Sequence, residues 1–172
     1  MCYHLSVKAS LAYVKIIRQL QKNAVRKSLK HKEVYMEIQL WREILNPYDL
    51  AVKELTVKFE HLIQEHRQQG LYSPIEQVDG RVKTISSILD KAQKKNIPIN
   101  EIEEKLEDIA GIRIICQFVE DIQKVVEIIR SRTDMKVIEE KDYVSNMKNS
   151  GYRSYHMIVE YTVETMNGPK CI

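Results

Sequence analysis

The stretch RVKTISSILDKAQKK, residues 81–95, brings cations and hydroxyls together at helical spacing. At about 100° per residue, Lys83, Ser87, Lys91 and Lys94 fall on one arc of a helix, while Ile85, Ile88, Leu89 and Ala92 fall on another. Ammonium groups are point-charge partners for phosphate oxygens, and Arg81 at the start adds a planar fork or a stacking surface. A solvated basic face has the same spacing, so polyphosphate is one of two readings of this segment. Further on, EDIAGIRIICQF, residues 107–118, puts Asp108 just ahead of a β-branched run and Arg113 inside it, in alternation with Ile115 and Gln117. A carboxylate at a strand edge can hold Mg2+, which takes one or two protein carboxylates beside waters and substrate phosphates; an ordinary turn aspartate has the same signature. An arginine inside a strand needs a partner if it faces inward.

A third stretch, NMKNSGYRSYHMIVEY at 146–161, crowds Lys148, Tyr152, Arg153, Tyr155 and His156 around Gly151 at the start of a strand. Tyrosine offers a face to a nucleobase, and Lys, Arg and His can meet phosphate or ribose oxygens, so the composition suits a nucleotide clamp. Ser154 and His156 share a strand face with Glu160, whereas Tyr155, Met157, Val159 and Tyr161 form the apolar one. A serine hydrolase is disfavoured, because there is no G-x-S-x-G elbow and no acid partner for this Ser and His. His61 and His66 are five apart and diverge on a helix, which argues against a metal pair.

These residues must be positioned by helices followed by strands. Residues 5–32 predict a basic helix, and residues 37–69 predict a short helix and then a long one, broken at Asn46-Pro47, since proline tolerates a first helical turn but not an interior one. LYSPIEQVDG supplies breakers, a helix is expected from about Arg81 to Lys95, and Asn100 can cap a short acidic helix to Glu107. From Gly111 the pattern changes: a strand, a helix over 121–132, strands in MKVIEEKDYV and SYHMIVEYTVET, a turn at Asn167-Gly168-Pro169, and an incipient strand. Helices followed by β-α-β-β imply an α+β fold with a mixed sheet and flanking helices.

With 44% hydrophobic and 30% charged residues in 172, the chain has room for one domain with a real core. No run approaches the ~18 uncharged apolar residues of a membrane span, and the first residues lack a secretory pattern; a cytoplasmic location is expected. Three scattered cysteines suggest neither a disulfide framework nor paired zinc ligands. Residues 1–35 hold eight Lys or Arg against one acid, while the remainder holds nineteen against twenty-three. The basic character therefore belongs to an N-terminal extension and not to a domain over 36–172, which disfavours a uniformly basic nucleic-acid binder. The extension itself is either a solvated helix or a surface for RNA or membrane.

Taken together, SPIEQVDGRVKTISSILDKA, EDIAGIRIICQFVEDI, KVIEEKDYV and NSGYRSYHMIVEY resemble, in order and spacing, the synthetase domain of the RelA/SpoT family, with the closest likeness to its single-domain branch, the small alarmone synthetases. The resemblance covers about residues 36–172. It implies a nucleotidyltransferase-like synthetase fold, and transfer of pyrophosphate from ATP to the 3′-hydroxyl of GTP or GDP. Arg81 and Arg113 would then sandwich adenine, Lys83, Ser87 and Lys91 would hold the ATP phosphates, and Asp108 would bind Mg2+. Tyr152 would stack on guanine, Lys148 and His156 would approach the acceptor phosphates, and Lys141 would stand where similar proteins tend to carry Arg. The family's catalytic Glu lies in an E-x-Q-x-R-T strand expected just past Ile172, together with closing helices that build a homotetramer around a regulatory site. The expectation for this chain is thus a domain incomplete at its C-terminus with little activity of its own; the alternative is a non-catalytic remnant that binds nucleotides or single-stranded RNA.

Overall fold

The computed structural model describes residues 7–146, 151 and 153–172, with the side chains of 7–17, 25, 31 and 33 excepted. The chain divides into two compact units, Met1–Arg42 and Glu43–Ile172. Helix α1 is Val7–Gln68. Strand β1 (Gln77–Val82), helix α2 (Ile85–Lys94), a 3-10 turn (Ile99–Glu101) and the short α3 (Ile102–Lys105) follow. The rest is β2 (Ala110–Ile115), α4 (Val119–Ser131), β3 (Met135–Asp142), β4 (Tyr155–Thr165) and β5 (Gly168–Cys171). No helix among the described residues is long and apolar enough to cross a membrane.

The architecture is α+β, as expected, but the strands form two antiparallel sheets, β1-β2 and β3-β4-β5, and not one mixed sheet. The predicted break at Pro47 is absent: Pro47 lies inside α1 and is buried. An interior proline costs about 3 kcal/mol. The next turns offset it, because Ala51, Leu55, Phe59 and Ile63 repeat every fourth residue and are all buried, each large one contributing roughly 1.5–3 kcal/mol.

That stripe forms one core with Ile75, Val78 of β1, Val125 of α4, and Tyr161 and Val163 of β4, so both sheets turn a face to the same helix. At Gly80 the approach is close. A Cβ built there would lie 2.5 Å from Val52 Cγ1 and 2.7 Å from Thr56 Oγ1, so only glycine lets β1 lie this close to α1. Polar ties reinforce the packing of the second unit. Lys58 Nζ donates to Asp134 Oδ2 at 2.7 Å and to the Tyr161 hydroxyl at 2.6 Å, and that hydroxyl donates to Glu54 Oε2 at 2.7 Å. Arg132 grips Asp134 with both Nε and a terminal nitrogen, at 2.8 and 2.7 Å.

Two further expectations change. Arg81 belongs to β1 and not to a helix start, and Asn100 sits within the 3-10 turn, whose cap is Pro98. Strands β3 and β4 fall within their predicted segments, and α4 starts two residues before its predicted range.

Candidate functional site

Alternation along β1 and β2 puts Val78, Gly80, Val82, Ile112 and Ile114 toward the core, which leaves Asp79, Arg81, Gly111 and Arg113 on the outer face. Arg113 therefore faces outward and needs no buried partner. Register sets Asp79 opposite Arg113 and Arg81 opposite Gly111. Arg81 and Arg113 are diagonal neighbours, and diagonal residues on one face lie roughly 7–8 Å apart, about twice the ~3.5 Å contact distance of stacked atoms. Neither arginine makes an ion pair or hydrogen bond with another described residue.

Thr84 explains where α2 begins. Its side chain accepts a hydrogen bond from the Ser87 backbone N–H at 3.3 Å and caps the helix, and its Oγ1 lies 2.9 Å from the Ser87 hydroxyl. Lys83 thus lies just outside the cap and not on the helical arc, and its own backbone N–H donates to Ile109 O at 2.8 Å. This tie brings Lys83 to the turn that enters β2, where Asp108 stands. Lys83 Nζ donates to Asp108 Oδ2 at 2.5 Å, and Lys91 Nζ, two turns into α2, donates to the same oxygen. Burial works to raise the Asp108 pKa, but the hydrogen bonds from Lys83 and Lys91 outweigh it and hold the carboxyl below its ordinary value. The other oxygen, Oδ1, is buried with no hydrogen-bond partner. Ser87 is exposed one turn before Lys91.

On the three-stranded sheet Lys141 and His156 are register partners on the face away from the core. Lys141 also pairs with Glu139 at 2.8 Å, and the His156 ring meets Tyr143 edge-on at 5.4 Å. Lys148 and Tyr152 lie outside the described residues. No group of three or more His, Cys, Asp or Glu among the described residues could hold a metal ion.

The structure thus gathers Lys83, Lys91 and Asp108 in direct contact, pairs Arg81 with Arg113 across one open face, and pairs Lys141 with His156 on another. Sequence pattern does not single out Asp79 and Gly111 on the outer face. The signal for Asp79 is the alternation of β1, hidden because QVDGRV holds only two apolar residues, and the signal for Gly111 is the alternation of AGIRII in β2.

An α+β domain with a carboxylate gripped by two ammoniums and two guanidiniums unpartnered among the described residues has a donor set suited to polyanions and flat rings. The chain belongs to the RelA/SpoT family: the family model described as a region found in RelA / SpoT proteins matches residues 80–169. Among curated relatives, GTP pyrophosphokinase YjbM of Bacillus subtilis is 47% identical over 135 residues, which are 78% of this chain and 64% of that protein. The chain therefore spans under two thirds of that relative's length. The fold is similar to those of solved structures. A GTP pyrophosphokinase family protein from Streptococcus pneumoniae is 49% identical with a TM-score of 0.74, over 77% of this chain and 65% of that one. Small alarmone synthetase 1 from Bacillus subtilis, bound to its product pppGpp, is 47% identical with a TM-score of 0.73, over 78% and 69%.

Proposed function

We propose that this chain carries nucleotide-binding machinery for GTP pyrophosphokinase chemistry, in which ATP gives its pyrophosphate to the 3′-hydroxyl of GTP or GDP. The observation that carries the reading is the convergence of Lys83 and Lys91 on Asp108. A site prepared for phosphate needs cations held close together, and the Asp108 carboxylate keeps Lys83 and Lys91 so. In this reading Arg81 and Arg113 take the adenine, Lys83, Ser87 and Lys91 take the ATP phosphates, and Lys141, Lys148, Tyr152 and His156 take the acceptor nucleotide. The product named with the similar small alarmone synthetase 1, pppGpp, supports the choice of a guanine acceptor.

The unpartnered Asp108 Oδ1 fits a hard cation, and Mg2+ would neutralise phosphate charge there. The chain's own residues orient the reactants. Stacking fixes the adenosine, and the lysines hold the phosphates so that the β-phosphorus faces the acceptor hydroxyl, with AMP as the leaving group. No residue between Met1 and Ile172 is assigned as the base for that hydroxyl. A homotetramer and a cytoplasmic location are proposed from the family likeness for the whole protein.

Calorimetric titration of the chain with a non-hydrolysable ATP analogue and Mg2+, and with GDP, tests the reading. Binding of the analogue is expected, with a loss of at least about tenfold, or about 1.4 kcal/mol, on Lys91→Ala. An unaltered affinity in that variant refutes the assignment of the phosphates.

A further inference from the structure

The outer face of β1 and β2 has four corners. Arg81 and Arg113 occupy one diagonal, and Asp79 and Gly111 occupy the other. A flat base between two guanidinium planes turns its broad faces to the arginines, so its edges point along the second diagonal. Over Gly111 one edge finds open space, since a Cβ built on this residue would meet nothing within 4 Å. The opposite edge meets Asp79. Gln77 Nε2 donates to Asp79 Oδ2 at 2.9 Å and steadies the carboxylate from the same face of the strand. Oδ1 has no hydrogen-bond partner among the described residues, and although Arg113 stands directly opposite, no ion pair joins the two.

We propose that Asp79 is a specificity-determining residue of the donor site: its Oδ1 accepts a hydrogen bond from an exocyclic amino group of the bound purine, while Gly111 keeps the slot open to the ring. The inference rests on the assignment of Arg81 and Arg113 to a nucleotide base, and it adds to that assignment which edge of the base is read. An ionised carboxylate only accepts hydrogen bonds. It therefore rewards a base edge that donates, as the adenine amino group does, and gains nothing from a purine without one.

The experiment titrates the 172-residue chain, in Mg2+, with three probes: a non-hydrolysable ATP analogue, the matching analogue whose purine lacks the amino group, and inorganic tripolyphosphate. The unaltered chain is expected to prefer the amino-bearing base by about tenfold, or about 1.4 kcal/mol. Asp79→Ala should reduce that preference to within about twofold and leave tripolyphosphate affinity unchanged, while Asp79→Asn, which retains a carbonyl acceptor, should recover part of the preference. Gly111→Leu should weaken both nucleotides about tenfold and spare tripolyphosphate. An equal preference in the unaltered chain and in Asp79→Ala overturns the inference and leaves the nucleotide site standing. Loss of tripolyphosphate binding in Asp79→Ala also overturns it, by placing Asp79 in the phosphate region or the fold. Failure of the unaltered chain to bind the ATP analogue at all overturns the nucleotide reading and this inference with it.

Discussion

Two glycines on neighbouring strands should separate stability from binding. Gly80 faces α1, and its hypothetical Cβ lies 2.5 Å from Val52 Cγ1, 2.7 Å from Thr56 Oγ1 and 3.0 Å from Ile112 Cδ1. Carbon atoms in contact prefer about 3.5–4.0 Å, so Gly80→Ala requires β1 to retreat by about 1 Å. Val52 gives little, because a valine in a helix has one strongly preferred rotamer. Overpacking of this kind costs roughly 1–3 kcal/mol, and the smaller entropy of the unfolded alanine chain returns roughly 0.4–1 kcal/mol. A net loss of about 1–2 kcal/mol corresponds to a fall in Tm of about 2–8 °C for a chain of this size. Gly111→Ala, on the open face, should leave Tm unchanged or slightly raised and should weaken the ATP analogue by at least about threefold, or about 0.7 kcal/mol. Thermal unfolding and calorimetry on the same preparations measure both. An unchanged Tm in Gly80→Ala would mean that α1 does not press on β1, and the packing argument for the placement of Arg81 would fall with it.

Arg113→Ala should weaken the ATP analogue about ten- to a hundredfold and GDP much less, with Tyr152→Ala doing the reverse; equal losses for both nucleotides in both variants would rule out separate base pockets. The Arg132 hydrogen bonds, opposed by burial and reinforced by Lys58, hold the Asp134 carboxyl well below its ordinary value of 3.8. A depressed pKa in the folded state means stability that is present above about pH 4 and is lost as pH falls below it. Asp134→Asn should therefore flatten the decline of unfolding free energy between about pH 5 and about pH 2.5, by roughly 1 kcal/mol after allowance for partial exposure; an unchanged decline in urea titrations would place the acid sensitivity elsewhere. Deletion of residues 1–35 should leave affinity for the ATP analogue within about threefold, and a larger loss would make the basic segment part of the site.

Long apolar periods are legible in the amino-acid sequence alone. VEIIR in α4 and MIVEYTV in β4 carry enough repeat to locate their elements within a few residues. Strand β1 is not legible in this way, because its pairing partner lies some thirty residues away and QVDGRV alternates only a valine, a glycine and a valine against polar residues. The consequence reaches the site: with Arg81 assigned to a helix, the face it shares with Arg113 stays hidden. Helical spacing groups Lys83 with Lys91, and the two do meet on Asp108, but Thr84 caps α2 and Lys83 reaches Asp108 from the strand side. Pro47 misleads in the other direction. Local chemistry argues for a break there, and only the buried stripe after it shows why the helix persists.

In the proposed reading, the Asp108 carboxylate is a resident competitor for the phosphates that Lys83 and Lys91 would hold. While it pairs with Lys83 and Lys91, the two ammoniums are spared mutual repulsion. A newcomer has to offer more negative charge than one carboxylate does, and it must leave Asp108 with another cation to face. Inorganic phosphate alone brings no cation for Asp108, whereas a polyphosphate that arrives with a divalent ion meets both conditions. In the proposed reading the cluster would therefore act as a charge threshold that favours a polyphosphate with its divalent ion over a singly charged anion.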